Sequence, residues 1–302
     1  MTKIVVGIDG TDRGEDAVAF ARRLAEPTDA GLLLVLAYPS SDRIGRAPRF
    51  RDALRREALR VLAGVRDRVA PGAAIAAVAD ASPARALQTR AERRDAALIV
   101  VGSASHGRAG RIVPGTTGER LLHGAPCPVA VVPRGYAASS RAPMTRVGVG
   151  IDGGSESRVA LAGATTLAEV LDAELEIIRA YAPGGLPAEA LLLPDLRSAA
   201  GRELADALAT VPPSVAAHPV LLLDAPLRAL AWRSHELDLL VVGSRGYGPS
   251  RAVLLGGVSG RLIRRAACPV LVVPRGVELP FAALLASRPA SSARTSGGAH
   301  AI

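Results

Sequence analysis

Lysine is almost missing from this chain: Lys3 is the only one among 37 Lys and Arg residues. That scarcity excludes a G-x-x-x-x-G-K-[ST] phosphate loop anywhere in the sequence. Cysteine is nearly as rare. Cys127 and Cys268 are too few for a disulfide framework. Each precedes a proline within an apolar run, so both read as buried free thiols. Aromatic residues form 3% of the chain, which leaves no platform for stacking nucleobases and leaves Ala, Val and Leu to fill the cores. The longest apolar runs, such as AALIVV and LDLLVV, are far too short to cross a bilayer. The start, MTKIVVGIDG, lacks the long apolar stretch of a secretory signal. A soluble protein of a reducing cytoplasm, with no membrane partner, is expected.

Apolar residues are plentiful, at 49% of 302 positions, enough for sizeable cores in two domains. The formal charge of +9 is uneven. Residues 1–137 hold 21 Lys+Arg against 14 Asp+Glu, or +7, and the remainder 16 against 14, or +2. Much of the first excess lies between Arg43 and Arg68 and reads as a solvated basic helix face. With Arg in place of Lys almost everywhere, coding bias accounts for it better than a nucleic-acid partner does.

An internal repeat sets the architecture. KIVVGIDG at Lys3–Gly10 returns as RVGVGIDG at Arg146–Gly153, an offset of 143. LLLVLAY, ending at Tyr38, returns as LEIIRAY, ending at Tyr181, with the same offset. DAALIVVGS and ERLLHGAPCPVAVVPRG return as ELDLLVVGS and GRLIRRAACPVLVVPRG, at an offset of 141. Four blocks in conserved order mark a duplicated domain. In copy one, strand-like runs fall at Lys3–Ile8, Leu32–Ala37, Ala73–Val78, Leu98–Val101 and Val129–Val132. Several are continuously apolar, as in parallel strands covered on both faces. Between them Ala17, Ala21 and Leu24 recur at helical spacing, as do Leu54, Ala58, Val61, Leu62 and Val65. The alternation predicts an α/β fold, a doubly wound parallel sheet in each copy with helices on both faces. Copy two repeats the pattern, with Pro194 interrupting its second helical stretch. The expected domains are residues 1–137 and 146–276, joined by a linker at 138–145 and followed by a disordered tail at 277–302.

In open parallel sheets, ligands bind beyond the carboxyl ends of the strands, where the strand order reverses. In copy two the segments that should meet there read IDGGSES, GSRGYGPSRAVLLGG and VSGRLIRR. Gly243, Gly246 and Gly256 allow close backbone approach to a ligand. The helix start at Gly257, Val258 and Ser259 points backbone N–H groups at an anion. Arg245 adds a charge-assisted phosphate contact. Ser259 caps the helix or gives its hydroxyl to a phosphate.

The spacing Gly243-x2-Gly246-x9-Gly256 resembles the ATP-binding signature of the universal stress protein family, G-x2-G-x9-G followed by Ser or Thr. The GIDG turn and the closing CPVLVVP strand are similar to that family too. The resemblance covers both copies and implies two tandem five-stranded parallel sheets of order 3-2-1-4-5. It also implies ATP, or a related adenine nucleotide, as the ligand, with Mg2+ an optional companion. By position it assigns Asp152 to the nucleotide's neighbourhood, Gly243, Arg245 and Gly246 to ribose and phosphates, and Gly256, Gly257, Val258 and Ser259 to the phosphate cradle. Gly257 departs from the family's Ser or Thr. Copy one keeps Asp9, Gly102, Gly115, Thr116 and Thr117, but Ser105 replaces the middle glycine and the next glycine is Gly107. Ala104 and Gly118 stand where copy two has Arg245 and Ser259, with His106 and Arg108 as substitute phosphate contacts. Copy two is therefore expected to bind more tightly. The apolar final strands, PVAVVP and PVLVVP, invite edge pairing. The family dimerises there, which implies an intramolecular pseudo-dimer and leaves a homodimer of whole chains open.

Other patterns carry less. Gly148-x-Gly150-x-x-Gly153 matches a dinucleotide fingerprint, but its first two glycines fall inside a strand and no acidic residue follows LEIIRAY. DGGSES resembles the SGGxDS loop of ATP pyrophosphatases, yet copy one reads DGTDRG. His106, His123, His218, His235 and His300 have no Cys or carboxylate at metal-ligand spacing. Ser103 and Ser244 lack a G-x-S-x-G elbow. No catalytic set recurs in both copies. A nucleotide-dependent stress regulator with at most slow hydrolysis is expected; the alternative is a nucleotide-independent interaction protein of the same fold.

Overall fold

The computed structural model describes residues 2–39, 48–103, 117–139, 143–183, 191–244 and 257–276. Copy one runs β1 (Thr2–Gly7), α1 (Asp12–Ala25), β2 (Gly31–Tyr38), α2 (Pro48–Val69), β3 (Ala74–Ala79), α3 (Pro83–Arg94), β4 (Leu98–Gly102), α4 (Thr117–Leu122) and β5 (Val129–Val132). A short helix, α5 (Tyr136–Ser139), follows. Copy two runs β6 (Arg146–Ile151), α6 (Ser155–Leu171), β7 (Glu174–Tyr181), α7 (Leu193–Ala209), β8 (Ala217–Leu223), α8 (Pro226–Arg233), β9 (Leu239–Gly243), α9 (Val258–Leu262) and β10 (Val270–Val273). The strands expected from the apolar runs of copy one lie within two residues of those observed.

Each copy forms a parallel sheet of order 3-2-1-4-5, and the two join edge to edge into ten strands: β3-β2-β1-β4-β5-β10-β9-β6-β7-β8. The junction is the only antiparallel ladder among the described strands, with Val270 opposite Val131, Leu271 opposite Ala130 and Val272 opposite Val129. All six residues are buried, so the two apolar edges cover each other. Alternate strand residues face opposite layers. Ile4 and Val6 join α1, α2, α6 and α7 in one core, and Val5 joins α3, α4, α8 and α9 in the other. Each core draws residues from both halves and continues across the junction.

Two expectations are corrected. Pro194 does not interrupt a helix; it sits in the first turn of α7, where its missing N–H costs no intrahelical bond and its fixed φ suits the helix. The expected linker overlaps a helix that is docked on copy one. Buried Asp16 of α1 accepts hydrogen bonds from the backbone N–H of Gly135 (2.9 Å) and Ala137 (2.8 Å). Tyr136 packs edge-on against Phe20, with centroids 5.8 Å apart. Beyond α5, Met144 is also buried in the core.

Candidate functional site

The turns after β1 and β6 are built alike. Gly10 and Gly153 take φ of +76° and +77°, a conformation that favours glycine. Asp152 Oδ1 accepts from the Gly154 N–H at 2.9 Å. Asp9 Oδ1 accepts from the Thr11 N–H at 3.1 Å and its hydroxyl at 2.6 Å. Both aspartates thus brace the turn that aims the following helix. The helix caps themselves are Thr11 and Gly154.

In copy two this turn, the end of β9 and the start of α9 converge on a cleft of about 660 Å3. Asp152, Gly243, Gly257, Val258 and Ser259 all line it. The corresponding cleft of copy one is about 220 Å3 and is lined by Asp9, Gly102 and Thr117, with Gly118 beside them. Arg245, Gly246 and Gly256 lie outside the described residues, as do Gly107, Gly115 and Thr116.

The glycines of the signature answer to different constraints. A Cβ on Gly243 would fall 2.7 Å from the Glu156 carbonyl oxygen, and one on Gly102 would collide with that of Arg13. These two are glycine because the first turn of α6 or α1 crosses the strand end. Gly257 differs: a Cβ there meets no atom of the described residues within 4 Å. It occupies the N-cap of α9 in extended conformation, without a side-chain cap. Ser259 is therefore not the cap; it is the second residue of the helix, facing the cleft.

Sequence reasoning missed several charged residues of the copy-two cleft. Glu156, Arg179, Glu203 and Arg261 also line it. Arg179 pairs with Glu203 at 2.6 Å, and the Glu203 carboxylate lies over Gly153, where a Cβ would be 3.1 Å away. The offset of 143 sets Arg179 against Leu36 and Glu156 against Arg13, so the repeat itself carried the signal. In copy one, Arg13 pairs with Asp9 at 3.0 Å. The Glu156 carboxyl is held below its ordinary range, first by its own backbone N–H, then by the Ser155 hydroxyl. Arg275 at 3.3 Å adds to this. Glu156 is therefore a carboxylate at neutral pH. The cleft can offer backbone donors at α9, guanidinium groups, and carboxylates suited to hydroxyl or cation contacts.

The sequence profile of the universal stress protein family matches residues 1–133 and 144–274, most of the chain in two blocks. The chain belongs to the universal stress protein family. A universal stress protein of Mycobacterium tuberculosis is 32% identical over 286 residues, covering 89% of this chain and 95% of that protein. One of Mycobacterium bovis is 33% identical over 186 residues, covering 59% of this chain and 62% of its own. The crystal structure of a universal stress protein from Archaeoglobus fulgidus superposes with a TM-score of 0.64, at 20% identity, over 91% of this chain and 96% of that one. That likeness concerns the fold, the same α/β architecture with helices on both faces of a mainly parallel sheet. For this tandem universal stress protein, family membership supports a role in the stress response.

Proposed function

We propose that this universal stress protein is an ATP-binding regulator whose principal site is the cleft of copy two. The carrying observation is the convergence of the β6 turn, the end of β9 and the first turn of α9 on that one cleft. Asp152 stands beside the nucleotide, Gly243 sits at the strand end, and the α9 N–H groups with Gly257, Val258 and Ser259 cradle phosphates. Arg245, Gly246 and Gly256 complete the loop by their place in the signature. In copy one Asp9, Gly102, Gly107, Gly115, Thr116 and Thr117 form a weaker site. Mg2+ would come as the companion of the phosphates, since among the described residues no group of three His, Cys, Asp or Glu could hold a metal ion. We infer slow turnover, well below the roughly 10 s⁻¹ common in enzymes, because no residue of the sequence clearly serves to position an attacking water. The β5–β10 junction acts as the interface of an intramolecular pseudo-dimer in the cytoplasm.

Calorimetric titration of ATP into wild type, Gly246→Val and Gly107→Val tests this reading. Gly246→Val removes the tight phase and Gly107→Val leaves it. The reverse pattern moves the principal site to copy one. The excess of carboxylates in the cleft favours the second reading, a nucleotide-independent interaction protein. Absence of binding, together with no ATP or AMP released on denaturing the purified protein, selects it.

A further inference from the structure

We propose that the projecting first two turns of α2 form a docking surface for an anionic lipid bilayer. The buried positions of α2 begin at Ala58 and continue at Leu62 and Val65. From Arg49 to Glu57 every residue is exposed except Leu54, which is half-buried. The overhang is about 13 Å long at 1.5 Å per residue. Its sequence is RFRDALRRE. Phe50 and Leu54, four residues apart, share one side of the helix, and Phe50 is 43% exposed. Arg49, Arg51, Arg55 and Arg56 surround them. None of these four forms an ion pair or side-chain hydrogen bond among the described residues, whereas Arg60 is held by Glu57.

Copy two serves as an internal control. The matching helix α7 buries Ala200 and Leu204 in the same layer. Over its length it carries Arg197 and Arg202 against Asp195, Glu203 and Asp206. The fold therefore does not require the arginines of α2. An apolar tip flanked by four arginines without ion pairs among the described residues, against the one exposed carboxylate of Asp52 in their midst, calls for an occupant that is anionic and apolar at once. Duplex nucleic acid would engage the arginines but offers no place for Phe50 and Leu54. A bilayer rich in anionic lipid uses both: guanidinium groups bind lipid phosphates while Phe50 and Leu54 enter the boundary between headgroups and acyl chains. No helix among the described residues is long and apolar enough to cross a membrane, so the attachment is peripheral and reversible.

The test is flotation of the full-length chain with vesicles of phosphatidylcholine alone, or with about one-third phosphatidylglycerol, as typically used to probe anionic surfaces. Binding to the anionic vesicles alone, weakened by salt, is expected. Arg51→Gln and Arg55→Gln each lower partitioning about fivefold, and Phe50→Ser lowers it further. The double variant Arg93→Gln/Arg94→Gln, which removes twice the charge of either single variant from exposed positions on α3, leaves it nearly unchanged. Circular dichroism confirms that each variant is folded. Absence of binding to anionic vesicles overturns the proposal. So does an equal loss in the α3 variant, which would mean a diffuse charge effect. Binding of a DNA duplex without binding of vesicles does the same.

Discussion

A single atom separates the two kinds of glycine in the cleft. Gly243→Ala places its Cβ against the Glu156 carbonyl and should destabilise the protein by about 1–3 kcal/mol, because backbone must move. Gly257→Ser meets no atom of the described residues and supplies an N-cap hydroxyl, so stability should hold or rise by a few tenths of about 1 kcal/mol. The same hydroxyl would line the cleft of copy two, so under the proposed function it should tighten ATP binding about tenfold. Denaturant unfolding and calorimetry of the two variants check both statements; equal stability losses would refute the distinction. The spacing of glycines in the sequence located these positions but could not say which serve helix crossing and which serve a ligand. That difference depends on Arg13 and Glu156, remote in sequence from the glycines they face. The cysteines were fully legible. Burial, more than any other influence, pushes the Cys127 and Cys268 thiols up from 9.0 to about 12. A folded-state value above the unfolded one means this stabilisation is whole below pH 9.0 and is lost as the pH rises toward about 12. Both thiols should resist a disulfide reagent at pH 8 and react at once in denaturant.

Among the elements, α5 shows what apolar periodicity cannot reveal. Its four residues, YAAS, are too few to show a helical pattern, and the surrounding Ser, Ala and Pro read as a linker. The element exists because Asp16 reaches across from α1 to hold its first N–H groups. Asp16→Ala strands those donors and should cost about 3 kcal/mol. Hydrogen exchange at Ala137 should accelerate more than at β1, and uniform acceleration would argue against a local tie. Val159 occupies the equivalent place on α6, so copy two lacks this tie. The strands were legible for the opposite reason. Parallel strands buried on both faces must be apolar throughout, as Leu98–Gly102 and Leu239–Gly243 are.

For the whole molecule, the junction of β5 with β10 governs how the halves behave apart. Residues 1–139 expressed alone expose the edge of β5 and leave buried Glu119 without Arg264, its ion-pair partner on the far side of the junction. The fragment should dimerise or precipitate; a stable monomer by sedimentation would show that the halves are independent. The repeat places Gly260 and His123 where a mirror-image pair would stand, so this particular ion pair occurs once. The antiparallel sense of the junction has a further consequence. The strands of the two halves point in opposite directions, so their clefts open on opposite rims of the sheet. A flat partner resting on one rim meets one cleft and is blind to the other. Whatever happens at one cleft is therefore presented on a different side of the molecule from what happens at the other.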